Sequence, residues 1–363
     1  MNKKVLHLLW DGNLGGVQRY ILKVVGSKYW NQSEHGICFF TTGGEVIQNA
    51  DLNDIPFWSL GVDRGWDFIT ARRELNKVIK EFKPDVIHCH CDTPAFSLQI
   101  HKHANLKRVY TEHGDTIMRL DRVWLMKLLW LFSGNYWDAI LANSHFVKQD
   151  FTNRFNSLET RCDIFHNPLI ENWNGTVADF ESDILKVGIF GRLAWQKGID
   201  RGLQVMQFII KKNSNVRMYI FGVGELEQEL KQKTSVLGLN DYVSFCGYSS
   251  DPLANMAAMD CTIVPSRTEP FGLVALEAQS TGTPVIGFLQ NGVAEVIEDG
   301  QTGLLVEQND IEGMAACVLQ ILEDKEMCND MGLKAKHRAD TLFSLKEHIN
   351  ALEKVYLSGK FKD

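Results

Sequence analysis

No stretch of this chain approaches the roughly 18 uncharged apolar residues that a membrane-spanning helix needs, which argues against an integral membrane protein. Positive charge is also short. Thirty-eight Lys and Arg stand against 45 Asp and Glu, a net −7, and neither half carries the cationic excess of a nucleic-acid-binding surface. The eight cysteines are scattered, and only Cys89 and Cys91 stand close together, as C-x-C. Reduced thiols in a cytoplasmic protein fit that spacing better than a disulfide framework. The first apolar run is short and broken by His7, so it reads as a buried strand rather than a signal peptide. There is no Asp-x-Asp to hold a divalent ion, no short internal repeat and no low-complexity tract.

What remains is ordinary soluble composition, 45% apolar and 23% charged, over 363 residues, about twice the usual length of one domain. Short β-rich runs alternate with longer helical patterns, the mark of βαβ units and parallel sheets. Strands are expected at 5–9, 36–40, 86–90, 108–111 and 139–142, with a short one at 162–165. After a polar stretch the count restarts at 185–190, 217–221, 243–245, 261–264, 284–287 and 303–305. Helices are expected over 17–25, 198–212, 225–237, 271–280 and 345–357. The fold class is therefore α/β, with two tandem Rossmann-like, doubly wound domains at 1–172 and 184–344. Residues 173–183 form the linker, and the final helix in 345–363 is expected to cross back onto the first domain. In open α/β sheets ligands bind outside the carboxyl ends of the strands, so a cleft between the domains is where chemistry is expected.

Two strand-to-helix turns in the second half stand out. The first is Pro265-Ser266-Arg267-Thr268-Glu269-Pro270-Phe271-Gly272-Leu273-Val274-Ala275-Leu276-Glu277. Glu269 precedes the helix and Glu277 lies on its second turn. The amides of Phe271, Gly272 and Leu273 would be orphan donors at a helix N-terminus, an anion site. One carboxylate can hold a polyhydroxylated ring and the other a ribose diol; a capped helix with solvated acids is the bland alternative. The second turn is Gly191-Arg192-Leu193-Ala194-Trp195-Gln196-Lys197-Gly198, where two cations bracketed by glycines suit a diphosphate. Two ordinary surface cations would look the same.

Other features are weaker. Asp11-Gly12-Asn13-Leu14-Gly15-Gly16 follows the first strand without forming a dinucleotide fingerprint, yet Gly15 and Gly16 would let a ligand pass close to the backbone. His88-Cys89-His90-Cys91-Asp92 invites a metal reading. Alternate residues of a strand face opposite ways, however, so the five cannot converge on one ion, and no metal or other cofactor is expected. Segment 119–132, ending at Phe132, is apolar and Trp-rich, with Arg119, Arg122 and Lys127 on one side of a helical wheel. It reads as a buried helix with one wet edge, or as an interfacial patch touching anionic lipid.

Taken in order, these motifs resemble those of a known family. The pattern comprises Gly15-Gly16, Pro84-Asp85-Val86-Ile87-His88-Cys89-His90, Thr111-Glu112-His113-Gly114, Asn143-Ser144, Asn167-Pro168, Gly191-Arg192 to Lys197-Gly198, Phe221-Gly222-Val223-Gly224, the two glutamates at 269 and 277, and Asp299-Gly300-Gln301-Thr302-Gly303-Leu304-Leu305-Val306. Over nearly its whole length the chain resembles a retaining glycosyltransferase of GT-B fold, of glycosyltransferase family 4 (glycosyl transferases group 1). That resemblance implies a nucleoside diphosphate sugar donor, with UDP or GDP as nucleotide. The acceptor would be a glycan or lipid-linked hydroxyl, in bacterial surface polysaccharide assembly at the inner face of the membrane. Arg192 and Lys197 would hold the diphosphate, with Gly191 in their turn, and Glu277 the ribose. Glu269 and the amides of Phe271, Gly272 and Leu273 would hold the donor sugar, and His113 would touch it from the first domain. Gly15 and Gly16 would lie near diphosphate and acceptor, and Gly222 and Gly224 would shape the base pocket. One departure, Asn291-Gly292-Val293-Ala294-Glu295, stands where the family usually has Gly-Gly and a proline before the acid. It is expected to involve none of these residues. A GT-B nucleotide-sugar epimerase and a non-catalytic nucleotide-sugar-binding protein are the alternatives.

Overall fold

Strands joined by crossover connections rather than tight hairpins pair in parallel, and all the strands described here do. The computed structural model describes residues 2–13, 15–42, 44, 55–62, 68–90, 106–114, 130, 136–155 and 162–358. Contacts divide the chain into two units, Met1–Ile170 with Leu345–Asp363, and Glu171–Ser344.

In the N-terminal unit the order is β1 (Lys3–Leu9), α1 (Gly16–Val25), β2 (Ser33–Phe39), β3 (Phe57–Ser59), α2 (Phe68–Phe82), β4 (Val86–His90), β5 (Lys107–Glu112), β6 (Ala139–Ala142), α3 (His145–Arg154) and β7 (Cys162–Ile164). The sheet runs β3-β2-β1-β4-β5-β6-β7. β3 is not expected from the sequence. It is a three-residue edge strand whose Phe57 and Ser59 are exposed, too short and too wet to show a period of two. Asn143-Ser144 acts locally, since the Ser144 side chain accepts from Val147 N at 3.0 Å and caps α3.

The C-terminal unit follows with β8 (Leu185–Phe190), α4 (Ile199–Ile210), β9 (Val216–Phe221), α5 (Glu227–Val236), β10 (Val243–Gly247), α6 (Pro252–Ala257), β11 (Cys261–Val264), α7 (Leu273–Ser280), β12 (Val285–Phe288), α8 (Val293–Val296), β13 (Gly303–Val306), α9 (Ile311–Glu323) and α10 (Lys325–Leu342). Its sheet runs β10-β9-β8-β11-β12-β13. Residues 171–184 carry no helix or strand, and Phe180 packs edge-on against Tyr219.

The last helix, α11 (Leu345–Ser358), belongs to the N-terminal unit. Its Ile349, Leu352, Val355 and Tyr356 join Tyr20, Ile21, Val24 and Val25 of α1 over one face of the sheet. Polar bonds add to this apolar seam. Glu353 accepts from Asn31 N and Gln32 N at 3.2 and 2.7 Å, and Lys107 Nζ donates to the Tyr356 and Leu357 carbonyls near the helix end. The opposite face is covered by α2 and α3, through Ala71, Leu75, Val78, Val147 and Phe151. Among the described residues no helix is long and apolar enough to cross a membrane. Segment 119–132 lies outside the described residues except for Trp130, which is buried with its ring against Tyr110 and Phe151.

Candidate active site

β8 and β11 are neighbours in the C-terminal sheet although β9 and β10 separate them in sequence. This reversal of winding leaves a crevice at the carboxyl ends of the two strands, where open α/β sheets bind ligands. Both of the expected turns emerge there. Gly191 and Arg192 follow β8 and lead into a single 3₁₀ turn, Trp195–Lys197. Residues 265–272 follow β11 and lead into α7.

The two turns meet through one ion pair. Lys197 Nζ lies 2.7 Å from Glu269 Oε2, with the Glu269 side chain only 9% exposed. Ser266 Oγ donates to the same oxygen at 3.1 Å. Arg192 is exposed, and its guanidinium makes no hydrogen bond or ion pair among the described residues. Glu277 is buried on the second turn of α7. Gly222, at φ 137°, lies so close to the β8 turn that a Cβ would collide with the Gly191 carbonyl oxygen, and Gly224 abuts Leu193 O in the same way. The β9 turn therefore rests directly on the cation-bearing turn.

Two expectations need correction. The helix begins at Leu273, not at 271, because Gly272 adopts the left-handed φ of 102° that ends the preceding turn. Its amides without an intrahelical acceptor thus start at Leu273, and Phe271 and Gly272 belong to the turn ahead of it. The loop at 291–295 is not separate from the site either. Asn291 Oδ1 accepts from Glu269 N at 3.1 Å, Asn291 Nδ2 donates to Ser266 O at 3.0 Å, and Gly292 N donates to Glu269 O at 2.8 Å. Asn291 braces the carboxylate-bearing turn from 22 residues away.

A second brace has no signal in the sequence. Arg267 grips Asp200 with two bonds of 2.7 and 2.8 Å, donates to Trp195 O at 3.0 Å and lies 5.0 Å over the Trp195 ring. The bonds from Arg267 hold the Asp200 carboxyl below the usual carboxylate range. Arg267→Ala is expected to cost the C-terminal unit about 1–3 kcal/mol at neutral pH. A carboxylate with a depressed folded pKa stabilises above its unfolded pKa and loses that contribution as pH falls through the folded one. The gap between variant and wild type in urea unfolding should therefore narrow below about pH 4. A constant gap would show that the pair is not its source.

In the N-terminal unit, winding reverses between β1 and β4. Gly15 is the N-cap of α1 and Gly16 its first residue, just beyond β1. His113 follows β5, and burial pushes its pKa down to about 3, so the ring is neutral. It is not a lone histidine, because its Nε2 lies 3.2 Å from His90 Nδ1. As the alternation of a strand requires, Cys89 faces the α2 side while His88 and His90 face the other. Cys91 and Asp92 lie outside the described residues. His7 of β1, in register with His88, joins the two histidines, and the three offer nitrogens within 4.8 Å of one another. Every ring nitrogen of these three already has a partner: His90, His35, Tyr356, Thr111, His7 or His113. The cluster is satisfied without an ion.

Residues 14–170 match the model of "Glycosyltransferase Family 4", and residues 179–338 that of "Glycosyl transferases group 1". Glycogen synthase of Mycobacterium tuberculosis is 26% identical over 85% of this chain and 77% of its own length. The capsular polysaccharide biosynthesis glycosyltransferase CapM of Staphylococcus aureus is 28% identical over 48% of this chain and 46% of its own. The crystal structure of Anabaena HepE in complex with UDP-glucose aligns with a TM-score of 0.81, covering 98% of this chain and all of that one at 20% identity.

Proposed function

Because this chain belongs to glycosyltransferase family 4, the group 1 glycosyl transferases, and is a nucleotide-sugar-dependent glycosyltransferase of GT-B fold, we propose that it transfers a sugar from a UDP- or GDP-sugar to a hydroxyl of a glycan or lipid-linked acceptor, with retention at the anomeric carbon, in surface polysaccharide assembly. The observation that carries this reading is the 2.7 Å contact between Lys197 and Glu269, which joins a phosphate-suited turn to a sugar-suited one at the switch point of one sheet. CapM, named for capsule synthesis, and HepE, crystallised with UDP-glucose, support the class of product and of donor.

Arg192 and Lys197 take the diphosphate oxygens and Glu277 the ribose hydroxyls. Glu269 and the backbone from Phe271 through Leu273 take the donor sugar, and His113 contacts that sugar. Gly15 and Gly16 lie near the diphosphate and the acceptor. As the glycosidic bond breaks, negative charge builds on the leaving β-phosphoryl oxygens and positive charge on the sugar. Fixed cations aimed at the leaving group lower that barrier without reorganising at the moment of reaction. The departing phosphate oxygen takes the acceptor's proton on the same face, so the scheme needs neither a protein base nor a nucleophilic carboxylate.

Thermal melting against a panel of nucleoside diphosphate sugars tests this directly, since a ligand bound only by the folded state raises the melting temperature. One UDP- or GDP-sugar is expected to stabilise the protein, with or without a chelator. No stabilisation by any member, or stabilisation only with divalent metal, would contradict the reading.

A further inference from the structure

Four imidazoles form one continuous hydrogen-bonded chain through the N-terminal unit. His35 Nδ1 lies 3.0 Å from His7 Nε2, His7 Nδ1 lies 3.1 Å from His90 Nε2, and His90 Nδ1 lies 3.2 Å from His113 Nε2. Every link joins an Nδ1 to an Nε2. Parallel pairing builds the chain: β1, β2 and β4 bring His7, His35 and His90 to one face under α1 and α11, and His113 follows β5. No local motif announces it, because its members come from four separate segments.

Each link accommodates one hydrogen between its two nitrogens, and a neutral imidazole carries one N–H. Burial holds all four rings neutral, and the charged forms that act on His7 and His90 are those of other histidines. The flanking rings are also occupied, His88 by Tyr356 and Thr111 and His348 by Tyr20 and the His166 carbonyl. The chain can then hold its protons in only two ways, all on Nδ1 or all on Nε2.

The ends distinguish the two. His35 Nε2 is sealed from solvent and has no hydrogen-bond partner among the described residues. With protons on Nε2 a buried N–H would be stranded there, and orphaned donors are the rarer and costlier defect; with protons on Nδ1 only a lone pair is left. At the other end His113 Nδ1 makes no hydrogen bond among the described residues, and 7% of the His113 surface stays exposed. We propose that His35, His7 and His90 are positioning residues that hold His113 in the Nδ1–H tautomer, so that it presents an N–H donor, not a lone pair, to an oxygen of the donor sugar. The recognition half of this inference rests on the function proposed above; the tautomer does not.

The test is a two-bond proton–nitrogen correlation spectrum of the full chain with ¹⁵N-labelled histidine, His113 being assigned by its loss in His113→Asn. The wild type is expected to show His113 as Nδ1–H throughout the neutral range, although free histidine favours Nε2–H; an Nε2–H or exchanging ring overturns the proposal. His7→Ala admits water, which can donate or accept, so the His113 signals should move toward a mixture. The kcat/KM for donor should fall by up to about tenfold, the worth of one hydrogen bond. An unchanged His113 spectrum in that variant overturns the lock. Should His7→Ala not fold, His35→Ala at the chain's end gives the same reading. Donor turnover unaltered by His113→Asn beside an Nδ1–H spectrum would overturn the sugar contact. Lost turnover beside an Nε2–H spectrum would overturn the chain alone.

Discussion

Taken from about pH 7 to about pH 5.5, the N-terminal unit should lose several kcal/mol of stability while the C-terminal unit keeps its own. His35, His113 and His348 are pushed down to about 3 by burial, and burial holds His7, His88 and His90 well below the ordinary histidine value. In the unfolded chain each returns to a pKa near 6.5. A histidine held neutral in the fold contributes stability that is present above its unfolded pKa. That contribution disappears as pH falls below it, because the unfolded state then binds the extra proton. The three rings at about 3 would together remove roughly 4 kcal/mol over this interval, and the other three act in the same direction. That is a large share of a typical domain's stability. The C-terminal unit supplies its own control, since its one histidine, His337, is exposed. Hydrogen exchange read by mass spectrometry and corrected for intrinsic rates should show strands β1, β2, β4 and β5 losing protection on acidification while β8 to β13 hold theirs. Parallel loss in both units, or loss in neither, would contradict the assignment of neutral buried rings.

The other large effect is expected in the cation-bearing turn. Lys197→Ala removes a proposed ligand of the diphosphate and also leaves Glu269, almost buried, without its cation. Each lost charged hydrogen bond is worth about 1.5–3 kcal/mol, so donor turnover should fall roughly ten- to hundredfold or more. Glu269→Gln should fall by a similar factor. Because the two side chains are in contact, the double variant should lose much less than the product of the single losses. Full additivity would mean that the contact between the two side chains is incidental to turnover. Arg192→Ala separates binding from folding. Arg192 has no internal partner among the described residues, so its loss should leave thermal stability unchanged while turnover drops.

How far the sequence reaches follows from how local each feature is. β8, β9 and β11 are runs of branched apolar residues between turn signals, so the tandem parallel sheets can be read directly. The glycine-bracketed Arg192 and Lys197 and the paired glutamates are also legible, being held within single strand-to-helix turns. β3 is not, since two of its three residues are wet. Asn291 reads as a loop residue because its partner Glu269 lies 22 positions back, and the Arg267–Asp200 pair spans 67. His113 looks solitary in sequence for the same reason. Its neighbours come from other strands, and only the parallel register of β1, β2, β4 and β5 brings them together.

The central claim is that the turns after β8 and β11 together grip a nucleoside diphosphate. Calorimetric titration of UDP and of GDP into the wild type and into Arg192→Ala tests it most directly. One nucleotide is expected to bind the wild type and to bind the variant at least about tenfold more weakly, with the melting temperature of the unliganded proteins the same. Equal affinity for that nucleotide in both proteins would contradict the account.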